Sequence, residues 1–98
     1  MPDITPTQTR VLFELSNGMR LYVQEVAATA FIGDPLRFEE LQHRTAARFT
    51  DFARLRDVEY VAADGYRTMD DGNDVRIYGI SSDGVEALLE TSMRPVEE

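Results

Sequence analysis

The residues best suited to chemistry lie in one short run, "LQHRTAARFTDFARLR", residues 41–56. It carries Arg44, Arg48, Arg54 and Arg56 against the single acid Asp51, a net charge of +3, and holds the only histidine, His43. The flanks are acidic: residues 1–40 have three arginines and six acids (−3), and residues 57–98 have three arginines and eleven acids (−8), which returns the whole-chain charge of −8. Guanidinium groups pair with phosphate oxygens and with the guanine edge in the major groove, so the chemistry on offer is nucleic-acid contact. Turning about 100° per residue from Arg44 predicts a helix with Phe49, Phe52 and Leu55 on its core side. His43, Ala47, Thr50, Asp51 and Arg54 fall on the opposite side, Arg44 at its edge, and Arg48 within the apolar sector. That small polar face suits a groove. It equally suits a solvated helix with ion pairs from Asp51 to Arg48 and Arg54. His43 reads either as a groove contact or as an ordinary surface histidine. Arg67 and Arg76, further along, either touch phosphate or offset their neighbouring aspartates.

Other chemistries are poorly supplied. The chain has no cysteine, which excludes disulfides, thiolate catalysis and cysteine zinc sites. There is no phosphate-binding glycine loop and no serine in a nucleophile motif. "DDGND" has oxygen donors but lacks the spaced ligand series and distal glutamate of a calcium loop. A hairpin turn accounts for it more simply. Glu39-Glu40 reads as a solvated face. No catalytic, cofactor or metal site is therefore expected.

At 98 residues the expectation is one domain, ordered over about 5–91 with a flexible tail over 92–98. The longest mostly apolar run, "VAATAFI", falls far short of the ~20 residues needed to cross a bilayer. The N-terminus lacks the pattern of a signal peptide. A cytoplasmic protein without membrane contact is expected. Every basic residue is arginine, a usage that fits a GC-rich genome or, with the acidic excess, a halophile.

The elements that must position the arginines read as follows. Thr5-Pro6-Thr7-Gln8 is a capping box with proline at the first helical position, and Val11, Leu12 and Leu15 give one apolar face. Asn17-Gly18 stops this helix, predicted over 6–16. "MRLY" is strand-like. Val23, Val26, Ala27, Ala30 and Phe31 fall at helical spacing and predict a second helix over about 23–32. Asp34-Pro35 starts a third helical stretch that runs to Arg56. "EYVAADGYRT" and "VRIYGIS" read as two strands around an Asp71-Gly72 turn. Asp83 caps a last helix, with Val85, Leu88 and Leu89 as its apolar face.

Three of these pieces resemble the winged helix-turn-helix family of prokaryotic, archaeal and phage DNA-binding transcriptional regulators. "TPTQTRVLFELSNG" resembles its opening helix, and "RTAARFTDFARLRDVEYV" its recognition helix running into the wing. "VRIYGISSDGVEALLE" resembles the return strand and closing helix. The resemblance implies a mostly α, α+β fold with a three-helix core, a two-stranded β-hairpin wing and a C-terminal helix. It further implies double-stranded DNA as partner, a homodimer, and a third helix that reads the major groove through His43, Arg44, Arg48, Thr50 and Arg54, with Arg67 and Arg76 on the wing. The chain departs from the pattern at Tyr22, where a helix cap is usual, and at Arg56-Asp57, where glycine is usual. It also departs in the longer "GDPLRFEELQH" stretch and in an acidic wing tip of Asp70, Asp71 and Asp74.

That acidic tip supports a rival reading: a protein–protein interaction module, or an inhibitor with a DNA-like negative surface, that meets a basic protein partner. The position of the acids separates the two. Acids on the face of the third helix favour the protein partner, and acids behind it favour DNA.

Overall fold

Thr5 opens the first helix, α1 (Pro6–Ser16), as its sequence demands. The Gln8 amide donates to Thr5 Oγ1, and the Thr5 amide donates to Gln8 Oε1, each at 3.1 Å. This reciprocal box satisfies two amides that the helix cannot. Val11, Leu12 and Leu15 form the buried face, as their spacing predicts. At the other end Gly18 takes φ +93°, and the Gly18 and Met19 amides donate back to Leu15 and Glu14. Glycine adopts this left-handed turn without a Cβ clash.

The computed structural model describes residues 4–37, 40, 42, 44–69 and 72–92, with side chains up to residue 90. His43, Asp70, Asp71 and the expected tail beyond Ser92 lie outside the described residues.

After α1 the chain departs from the winged-helix expectation. The predicted helix over 23–32 is instead a β-hairpin, β1 (Arg20–Gln24) and β2 (Thr29–Gly33), closed by a turn in which the Ala28 amide donates to the Glu25 carbonyl. Val26, placed on the core side by helical spacing, sits fully exposed at the turn. Leu21, Tyr22 and Val23 are all buried, because both faces of β1 are covered. A strand buried on both faces gives a continuous apolar run that periodicity does not separate from a helix.

The third helical stretch is also corrected. Pro35–Arg37 form one 3-10 turn, Thr45–Ala47 form a strand, β3, and among the described residues of the stretch only Phe49–Asp57 form an α-helix, α2. The two later strands do form, as β4 (Val61–Thr68) and β5 (Asp74–Ile80). They are not a separate wing. All the strands join one antiparallel sheet in the order β3-β2-β1-β5-β4, with β1 paired to β5 through Leu21–Tyr78, Tyr22–Ile77 and Val23–Arg76. The fold is therefore α+β with a five-stranded sheet, and not a mostly α winged helix with a two-stranded wing. The β1–β5 pairing is what rules out the wing, since it ties the hairpin into the middle of the sheet.

The last helix, α3 (Ser82–Ser92), starts earlier than the Asp83 cap implies. Ser81 is the cap: its Oγ accepts from the Gly84 amide at 3.0 Å and donates to the Glu59 carbonyl at 2.6 Å. Gly84 is buried against the Tyr60 carbonyl, where an added Cβ would collide with that oxygen and with Ile80. Strand is handed directly to helix here because one serine caps α3 and ties it to the loop before β4.

One face of the sheet carries the main core. Leu21, Val23, Ala30, Ile32, Val61 and Tyr78 meet Val11, Leu12 and Leu15 of α1 and Phe52 and Leu55 of α2. Leu88 of α3 packs against its margin. On the other face Tyr22 and Val75 form a smaller cluster with Phe31, Met69 and Ile77. Among the described residues no helix is long and apolar enough to cross a membrane.

Candidate functional site

The residues expected to read DNA do not share a surface. Thr50 and Arg54 lie on α2, and Arg48 is the residue before it. Arg76 lies on β5, on the same sheet face as Tyr78, whose ring meets Phe52 of α2 edge-on at 4.7 Å. Arg44 and Arg67 lie toward the opposite face. The Arg44 guanidinium sits 4.7 Å from the Phe31 ring centre, and Arg67 is in register with Val75. His43 lies outside the described residues.

On the helix side carboxylates offset the arginines. Arg48 Nε donates to Asp51 Oδ2 at 3.2 Å. Gln8 Nε2 donates to the other oxygen, Oδ1, at 3.1 Å. Asp51 is 3% exposed, so this α2 residue, expected on the groove face, instead bridges α1 and α2 from the interior. A buried carboxylate persists only with such partners. Arg48 is 71% exposed and leaves the apolar sector where helical turning puts it. Glu25 takes Arg76 at 3.3 Å and Arg56 at 3.6 Å, which links the first hairpin to β5 and α2. Asp74, the described acid of the acidic tip, shares the helix-bearing face with Arg76 and accepts a bond from Thr68 Oγ1 at 2.8 Å.

On the opposite face Tyr22 stacks on Phe31 at 5.1 Å between ring centres. Burial holds the Tyr22 phenol above its ordinary range. Arg67, Arg20 and Arg44 pull it back, and Asp34 pushes it up. Three guanidinium groups thus act on one phenol. Arg20 is tied to Asp64 at 3.0 Å.

The sequence predicts α3 as a helix with Val85, Leu88 and Leu89 on its core side, but not its exposed surface. Its buried side is Gly84 and Ala87, with Leu88 half-buried, while Val85 and Leu89 are 40% and 55% exposed. Turning about 100° per residue divides the outer surface into an apolar stripe, Val85 and Leu89, and an acidic stripe, Asp83, Glu86 and Glu90. No basic residue occurs between Ser82 and Ser92. Phe13 on the neighbouring α1 is 53% exposed. The signal was available in the alternation of acid and leucine in "DGVEALLE", which reads as an ordinary amphipathic helix until Gly84 is seen to take the buried position.

Among the described residues no group of three or more histidine, aspartate or glutamate side chains is arranged to hold a metal. Comparison with known proteins finds no matching family, no matching curated protein and no matching solved structure, so the functional argument rests on the chain's own geometry.

Proposed function

We propose that this chain is a protein-interaction module whose outer α3 surface receives a basic, amphipathic segment of a partner protein. The observation that carries this reading is the pairing, on one short helix, of exposed Val85 and Leu89 with Asp83 and Glu86. Exposed apolar side chains rimmed by charge mark protein contact surfaces, with the apolar groups as anchors and the charges as guides. A second copy of this chain would bring the same acids against themselves, so a basic partner suits the surface better than a homodimer. The whole-chain charge of −8 steers the same choice.

The test is calorimetric titration with a designed helical peptide that carries a leucine stripe beside an arginine stripe. Saturable binding is expected, weakened by salt, by Leu89→Ser and by Glu86→Arg. Equal binding to the Leu89→Ser chain would mean that the peptide answers only to bulk charge, and would overturn the reading.

A second reading, contact with double-stranded DNA, is favoured by Arg20, Arg44 and Arg67 around Tyr22. It moves the contact from α2 to the opposite sheet face. Binding to mixed-sequence duplex across a salt series tests it. A linear fall of log K with log salt, made shallower by Arg44→Ala and Arg67→Ala, would support it, and no binding at low salt would remove it.

A further inference from the structure

We propose that the cleft between α1 and the free edge of β3 takes an extended segment of a partner protein, which adds to the five-stranded sheet as another strand and sets an acidic side chain between Arg10 and Arg48. This surface is separate from the outer face of α3 and does not depend on it.

Among the described residues the sheet order leaves two edges, β3 and β4. An edge strand presents backbone N–H and C=O groups that another strand can pair. The two edges differ in how far they allow this. β4 is interrupted by a bulge between Ala63 and Tyr66, with Gly65 at φ +118°, and it carries Asp64 tied to Arg20. Bulges and edge charges are devices that prevent strand addition. β3 has neither. Thr45, Ala46 and Ala47 are small and uncharged, and they pair in regular register with Ile32, Phe31 and Ala30.

β3 also opens onto a cleft of about 220 Å³ against α1. Its floor includes Val11 and Ile32, both buried. Ala46 borders the cleft as well, although its register partner Phe31 belongs to the opposite sheet face. The strand therefore meets the cleft with its backbone as well as with side chains. The volume is below the ~300–1,000 Å³ of small-molecule sites, and suits a few side chains of a peptide whose backbone lies on the strand.

Charge selects the segment. Arg10 is exposed on α1, and Arg48 stands at the head of α2 with 71% of its side chain exposed. Of the two acids in the cleft, Asp51 is buried with both oxygens engaged, and Glu14 is half-buried. What a visitor meets is therefore mainly guanidinium. The occupant is a β-prone segment with a carboxylate, the opposite of the basic helix expected at α3.

Panning the full-length chain against a random peptide library displayed on phage tests this. Enriched peptides are expected to pair β-branched residues with an acid, and to bind the Arg10→Glu chain about tenfold or more weakly, as loss of a charge-assisted hydrogen bond implies. They are also expected to slow amide hydrogen exchange at Thr45–Ala47. No enrichment, enriched peptides that bind Arg10→Glu equally well, or binding without protection of β3 would overturn the proposal. Enrichment of basic peptides alone, lost on Leu89→Ser, would overturn it while supporting the α3 surface. Arg10 is exposed, so the Arg10→Glu chain is expected to melt as the parent does.

Discussion

Two short helices lie on the same side of the sheet and use their side chains in opposite ways. α2 buries Phe52 and Leu55 at 1% and 0% exposure, sinks one of its carboxylates between α1 and itself, and has Arg56 within it and Arg48 at its head tied to acids. Among its described side chains α3 fully buries only Gly84 and Ala87, half-buries Leu88, and leaves Val85, Leu89 and its acids at the surface. The more basic helix thus packs Phe52 and Leu55 inward, while Val85 and Leu89 lie exposed on the helix that looks plain.

The largest effect that sharpens this contrast is Phe52→Ala. It removes a ring packed on Phe49 and Tyr78 and is expected to cost about 3–5 kcal/mol in denaturant unfolding. Leu89→Ala on α3 is expected to stay within about 0.5 kcal/mol, and a cost near that of Phe52 would make the α3 stripe part of the core and break the comparison. Gly84→Ala comes next. Its Cβ would meet the Tyr60 carbonyl, so a loss of about 1–3 kcal/mol is expected, which would show that α3 is held by its small side and not by its leucines.

Asp51→Ala is expected to cost about 1–3 kcal/mol, because the Gln8 amide, 7% exposed, loses its acceptor and Arg48 its partner. Glu86→Gln on α3, the matched control, is expected to leave the melting temperature unchanged. The smallest effect is a gain. Glu59 holds φ +63° at the end of α2, and Glu59→Gly is expected to stabilise the fold by up to about 1 kcal/mol in the same assay.

That last residue shows why some of the fold was legible and some was not. α1 and α2 end in the same motif. After α1, Gly18 and Met19 donate to Leu15 and Glu14. After α2, Glu59 and Tyr60 donate to Arg56 and Leu55. The first is announced by glycine and its helix bounds were read correctly. The second puts glutamate where glycine is usual, and its expected end at Arg56 falls one residue short of Asp57. The capping box of Thr5 and Gln8 and the strands β4 and β5 were legible for the same reason, since their signals are local. Of the hairpin over residues 20–33 only the start of β1, within residues 19–22, was legible. Val23, Ala27, Ala30 and Phe31 keep helical spacing by accident, and only pairing with β5, more than fifty residues away, decides for strand. The winged-helix fold that the resemblance implies is overturned at this point too: each of its pieces is local, and the sheet order is not. The candidate site was least legible of all. Arg48 and Arg76 were found by charge, and the Asp51–Arg48 pair by its three-residue spacing, but Gln8 reaches Asp51 and Glu25 reaches Arg76 only through the fold.

The most direct test of the account is an amide chemical-shift map of the isotope-labelled chain, titrated with the peptide that carries leucine and arginine stripes. The account predicts saturable shifts centred on Val85, Glu86 and Leu89, with smaller ones at Phe13 and none at Thr50 or Arg54. Shifts spread evenly over every surface acid, or concentrated on α2 with α3 silent, would contradict it.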